Sequence, residues 1–150
     1  MSSLADVPQA VANYLDSASL SSDVVCWPEF TELAWQEAGV SVEARAAQES
    51  DLVGVTGAFC AIAETGTLMM LSGLETPAST SLLPETHIAV ASKARIVHGM
   101  EEAWRMLRGE HGLLPRAVNF ISGPSRTADI EQTLVLGAHG PYRVHIILTP

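Results

Sequence analysis

The chain is poor in positive charge. Of its 150 residues only 8 are Lys or Arg against 17 Asp or Glu, giving a formal net charge of −9, and the basic residues form no cluster. Nucleic acid and anionic membrane surfaces both require a basic footprint, so neither is expected as a partner. An anionic small molecule stays open, because one helix N-terminus and one Arg suffice to hold it locally. Cysteine is scarce as well. Cys26 and Cys60 stand far apart with no CxxC spacing, so the chain by itself can ligate neither an iron–sulfur cluster nor a structural zinc. Cys60, in an apolar segment, reads as a small core residue. No apolar run approaches the roughly 20 residues of a membrane span. The start, MSSLADVPQAVANYLDS, has neither the charged nor the apolar region of a secretory signal. The expectation is a soluble cytoplasmic protein that binds no metal and no cofactor of its own. There is no GxGxxG, no Walker loop, no HExxH, no nucleophile elbow and no internal repeat.

What is present is a foldable chain. An apolar fraction of 47% and a charged fraction of 17% fit a globular protein, and 150 residues are most simply one domain, 1–150, able to bury a real core. Val7, Val11, Tyr14 and Leu15 stand at helical spacing. VVC, 24 to 26, is a short buried strand. WPEFTELAWQEAG follows as a helix with Pro28 in its first turn and Gly39 at its C-terminal cap. VSVEAR and DLVGVTG read as strands, the second with a glycine exit. FCAIAETGTLMMLS reads as two strands joined at Thr65-Gly66, apolar on both faces and therefore central. STSLLPE is an irregular connection or one helical turn, and THIAVA a strand. GMEEAWRMLRGEHG is the clearest helix, with Met100, Ala103, Trp104 and Leu107 on one stripe, Glu101 and Glu102 at its start and Arg105 and Arg108 at its end. RAVNFIS and YRVHIILTP are strands, and GPSRTADIEQTLVLGAHG between them opens like a helix N-terminus. Strands alternating with helices, with one hairpin inserted, call for an α/β sheet covered on both faces.

Two stretches could carry chemistry. In ISGPSRTADIE, 121 to 131, a strand leads through Gly123 and Pro124 into Ser125, Arg126 and Thr127 at an expected helix start. Free backbone N–H groups, hydroxyls and a guanidinium would converge there on a phosphate or carboxylate. The plainer account makes Ser125 or Thr127 an N-cap and pairs Arg126 with Asp129. In AETGT, 63 to 67, Glu64 stands in an apolar stretch with no positive charge nearby in sequence. It is either a nucleophile, base or ligand clamp flanked by the Thr65 and Thr67 hydroxyls and the Gly66 N–H, or an exposed residue beside a tight turn. The histidines are scattered. His87, His139 and His145 fit hydrogen-bonded structural roles, while His98 and His111 fit surface loops.

Read together, GVTGAFCAIAETGTLMML, SLLPETHIAVASKARIV, ISGPSRTADIEQTLVLGAHGP and RVHIIL resemble, in order and spacing, the LUD domain of the lactate-utilisation protein C family. The resemblance covers 40–149; the 39 residues before it form a short helical part, where family members carry a longer, partly helical region. The resemblance implies a mostly parallel α/β sheet with helices on both faces, similar to glucosamine-6-phosphate isomerase, ribose-5-phosphate isomerase and CoA transferases. It implies a role as one subunit of a bacterial system oxidising L-lactate to pyruvate, with iron–sulfur clusters in partner subunits, and leaves a homo-oligomer open. It marks Glu64, Thr65, Gly66 and Thr67, together with Ser122, Gly123, Ser125, Arg126, Thr127, Asp129 and Glu131, as motif positions, with His87 and His139 nearby. Glu64 is the candidate catalytic residue, by analogy with the acyl-carrying glutamate of CoA transferases; the others, except Glu131, are candidate ligand contacts. Two other functions compete: a non-catalytic domain that assembles or regulates iron–sulfur partners, and a free-standing enzyme on a sugar phosphate or acyl-CoA.

Overall fold

Val7, Val11 and Leu15 recur every four residues and fix the first element, α1 (Val7–Ala18), whose buried stripe they form. The structure, a computed structural model, describes residues 3–128, 134–136 and 140–150, but not the side chains of 126–128 and 134–136. Pro8 sits in the first turn of α1, and Ser19 at φ 54° ends it. The strands, in chain order, are β1 (Asp23–Cys26), β2 (Ser41–Ala44), β3 (Val53–Gly57), β4 (Cys60–Ile62), β5 (Thr67–Leu71), β6 (Thr86–Ser92), β7 (Ile96–Val97), β8 (Val118–Ile121), β9 (Arg126–Ala128), β10 (Leu134–Leu136) and β11 (Arg143–Thr149). Two further helices are α2 (Ser79–Leu82) and α3 (Met100–Glu110).

Five strands form a parallel sheet in the order β11-β6-β3-β1-β2. A second sheet runs β7-β4-β5-β8, and β9 pairs antiparallel with β10. On one face of the parallel sheet Tyr14 of α1 stacks on His145 of β11, ring centroids 3.9 Å apart. His145 is in register with Ile88, and Ile88 with Val55, so those side chains share the face of α1. Gly54 points the other way, where a Cβ would stand 2.1 Å from the Thr80 carbonyl oxygen of α2. The expected α/β architecture with a mostly parallel sheet is therefore present.

The β4–β5 hairpin is central, as its apolar composition predicts, and the structure gives the reason. Leu68 and Met70 of β5 enter the main core with Val55, Ala89 and Ile121. Met69, between them, enters a smaller core with Cys60, Ile62, Val97, Ala103 and Leu107. The second sheet thus lies between the parallel sheet and α3, and strands covered on both sides need no polar alternation.

Two expected helices are absent. Pro28–Phe30 makes a single 3-10 turn, and the chain then winds through turns to Gly39 at φ +73°. Phe30 and Trp35 are both buried, and five positions apart they cannot share a helical stripe; the Trp35 indole N–H instead donates to the Phe30 carbonyl at 2.7 Å. Residues 126–128 and 134–136 are strands, not a helix. Gly123 at φ +82° turns the chain, and the Ser125 N–H donates to the Pro141 carbonyl at 2.8 Å, which ties this segment sideways instead of starting a helix.

The two kinds of glycine predict opposite substitutions. Gly54→Ala meets backbone and should destabilise by at least about 3 kcal/mol, the upper part of the overpacking range. Gly109→Ala, in α3 with nothing within 4 Å of its Cβ position, should stabilise by about 0.5–1 kcal/mol. Urea unfolding of both variants measures the contrast.

Candidate functional site

The β4–β5 turn is closed by Gly66 at φ +62°, and residues 63–66 are exposed. Because Leu68 pairs with Ile121, the turn lies beside the exit of β8. Three hydroxyls line up there: Thr65 Oγ1 is 2.7 Å from Thr67 Oγ1, which is 2.6 Å from Ser122 Oγ. Thr67 is buried at the middle of this line. The structure therefore joins Thr65, Thr67 and Ser122, residues from two separate motifs. Ser125 is turned to Pro141 through its N–H.

Glu64 is exposed and points along a different line. Its N–H donates to the His98 carbonyl at 3.0 Å. A Cβ on Gly99, the N-cap of α3, would stand 3.3 Å from Glu64 Oε2 and 3.6 Å from Glu101 Oε2. Glu102 accepts from the His98 N–H at 2.8 Å. Carboxylates at this helix start complement the positive end of its dipole. The helix N-terminus expected at 125–127 does not exist, since Arg126 and Thr127 open β9; the helix start beside the hairpin is that of α3, and acidic groups face it. The side chains of Arg126 and Thr127, and residues Asp129, Glu131 and His139, lie outside the described residues.

His87 stands apart from the hydroxyl line. It is fully buried in β6, its Nε2 lies 2.8 Å from Thr56 Oγ1, and its Nδ1 has no partner among the described residues. Burial lowers its pKa to about 4, so it is neutral at physiological pH.

A second cleft lies elsewhere. All five parallel strands end along one edge, and the chain reverses its direction across the sheet between β1 and β3, the topological switch point at which open α/β sheets take ligands. A cavity of about 530 Å³ opens at that edge. Trp27, Phe30, Phe59, Leu71 and Val90 supply apolar wall, and Glu29 faces the end of β3. The Glu29 carboxylate approaches so closely that a Cβ on Gly57 would stand 2.3 Å from Oε1. Burial pushes the pKa of Glu29 up, and the Gly57 N–H, donating to it, pulls part of the way back. Cys26, at the end of β1, is pushed up to about 11 by burial first and by the Glu29 charge second, so it is a thiol and not a nucleophile. Sequence reasoning passed over Glu29, because it stood in a segment read as helix. The glycine exit of VTG was the one available signal, and what it signals is the approach of a carboxylate. Among the described residues, no group of three His, Cys, Asp or Glu is placed to hold a metal ion.

The LUD domain family is matched over residues 19–149. Lactate utilization protein C of Halalkalibacterium halodurans is 36% identical, the match covering 93% of this chain and 67% of that protein. The Bacillus subtilis protein of the same name is 37% identical, with 81% of this chain and 52% of the relative covered. The chain thus spans between about half and two thirds of the length of these relatives. Among solved structures, the crystal structure of a DUF162 family protein from Deinococcus radiodurans superposes with a TM-score of 0.71 at 25% identity, covering 99% of this chain and 85% of that one.

The buried imidazole sets a pH dependence. In the unfolded chain His87 takes up a proton near its ordinary 6.5, whereas in the fold it does so only near 4. Between those values the unfolded state binds more protons, so stability should fall as pH drops from about 6.5 toward 4, by on the order of 3 kcal/mol from this residue. Urea unfolding of wild type and His87→Gln across that range measures it; the variant should show the shallower slope, the remainder including His145, whose pKa is lowered in the same direction.

Proposed function

The chain belongs to the LUD domain family, and from that premise we propose that it works in lactate utilisation as the component without a redox centre, beside iron–sulfur subunits that take the electrons as L-lactate becomes pyruvate. The observation that carries this reading is the match to relatives named lactate utilization protein C over most of the chain. Its thiol chemistry is consistent with that division of labour. Cys26 and Cys60 sit in two different cores, and burial raises the pKa of each, so neither is offered as a cluster ligand.

Within this role the small-anion seat is the hydroxyl line of Thr65, Thr67 and Ser122. Gly66 and Gly123 shape the two turns around it, and the roles proposed for the motif residues Arg126 and Glu64 are countercharge and proton exchange. Hydroxyls that already bond one another can rotate to donate to an incoming carboxylate. A second reading is favoured by the surroundings of Glu64. A carboxylate lying against the start of α3 fits a structural role, and the domain then assembles or regulates the iron–sulfur subunits without touching substrate.

Lactate-dependent dye reduction by the reconstituted complex separates these readings. Under the first, Thr67→Val, Ser122→Ala, Arg126→Ala and Glu64→Gln each lower the rate at least tenfold, the scale of a lost transition-state hydrogen bond or countercharge. Unchanged rates in all four with the complex intact remove the anion seat and leave the assembly role. Failure of the chain to co-purify with iron–sulfur proteins removes both.

A further inference from the structure

We infer that the cleft at the carboxyl edge of the parallel sheet binds an uncharged, ring-shaped ligand of the nitrogen-heterocycle class, which presents N–H donors to the Glu29 carboxylate. This site is separate from the hydroxyl line and does not depend on the lactate reading.

The donor and acceptor inventory of the cleft selects the ligand. Among the described residues, no Lys or Arg lines it. Among the described residues, His111, exposed just beyond α3, is the one lining group able to carry a positive charge. A carboxylate or phosphate would enter this cavity without a countercharge and against Glu29, which is costly in a partly desolvated place. Most of the lining hydroxyls are already committed as donors, and Ser72 keeps its own O–H. Thr76 Oγ1 donates to the Leu71 carbonyl at 2.8 Å, and Ser92 Oγ to the Pro150 carbonyl at 2.8 Å. Ser72 Oγ accepts from the Ala117 N–H at 2.8 Å. The Trp27 indole N–H, which could have served a ligand, is spent on the Pro77 carbonyl at 3.1 Å. What the cleft offers at its apolar walls is chiefly an acceptor, the carboxylate of Glu29, whose one donor among the described residues is the backbone of Gly57. A ligand that pairs with it must bring the hydrogens.

The walls set the rest of its shape. Trp27, Phe30, Phe59 and Leu71 make an apolar slot, and about 530 Å³ is within the range of cavities that hold small organic ligands and cofactor rings. A planar ring with N–H groups on one edge satisfies both demands: its faces are covered by apolar side chains and its edge meets the carboxylate.

Gly57 is built into this arrangement. Its missing side chain is what lets Glu29 reach the end of β3, since a Cβ there would stand 2.3 Å from Oε1 and 3.3 Å from the carboxyl carbon. The atom displaced is the end of a flexible side chain and not backbone, so Gly57→Ala moves the carboxylate out of the cleft without breaking the sheet.

Among the described residues, the Cys26 thiol from β1 interacts with Glu29, and the His111 imidazole lines the same cleft. Protonation of Glu29 removes the acceptor, so binding weakens as pH falls through the raised pKa of this carboxyl.

The test is calorimetric titration of the whole purified chain with adenine, guanosine and lumichrome, and with lactate and inorganic phosphate as anions, supported by the change in amide signals of Gly57 and Ala58. The expected result is saturable binding of at least one heterocycle, weakened at least tenfold by Glu29→Gln and by Gly57→Ala. The pH dependence should vanish in Glu29→Gln and persist in His111→Asn. Thermal midpoints of the variants near that of wild type establish that they remain folded, and Glu29→Gln, nearly isosteric, keeps the test valid if Gly57→Ala does not. The inference is overturned if none of the three heterocycles binds, if binding is unchanged in Glu29→Gln, or if lactate or phosphate displaces the bound ring.

Discussion

The molecule depends on one strand that is buried on both sides. β5 sends Leu68 and Met70 into the core beneath the parallel sheet and Met69 into the core beneath α3. Each core alone would leave one apolar face of β5 in water, and together they cover both. This constraint also places the chemistry, because a strand so enclosed must end in a turn that reaches solvent. That turn, 63–66, carries Glu64 and positions Thr67 against Ser122. Exposed carboxylate and buried hydroxyl are two ends of the same packing solution.

The same constraint explains why much of the fold was legible in the sequence. An apolar run without alternation, divided by Thr65-Gly66, announces a hairpin covered on both faces, and Met100, Ala103, Trp104 and Leu107 announce α3 in the same direct way. The parts that misled are those where local pattern and tertiary packing disagree. Pro28 and Gly39 frame a helix by local rules, yet burial of both Phe30 and Trp35 demands another path. Ser125, Arg126 and Thr127 have the composition of a helix start, yet a backbone hydrogen bond to Pro141 sets their surroundings. Neither partner was visible in the local window.

The candidate sites divide along the same line. Thr65, Thr67 and Ser122 could be named from their motifs, although which of them touch could not. Glu29 and Gly57 could not be paired at all, since 28 positions and a strand crossover separate them and only the parallel pairing of β1 with β3 makes them neighbours. Side chains at the carboxyl edge of a parallel sheet come from segments far apart in sequence, and a single chain read without its topology does not reveal such groupings. The two places also differ in polarity: the hairpin offers hydroxyls that can turn to donate, and the edge cleft offers acceptors.

One guanidinium links α3 to the wall of that cleft. Arg95 donates through Nε to the Phe59 carbonyl, lies over the Phe59 ring, and pairs with Glu110 at 2.8 Å, one residue before His111. Both partners of the ion pair are partly solvated, so dissolved salt screens it. The approach of Glu29 to Gly57 is fixed by backbone and by space, which salt does not alter. The ion pair behind the Phe59 wall and the contact at Gly57 therefore answer to different physics, and the ionic conditions around the protein can reach the first while leaving the second unchanged.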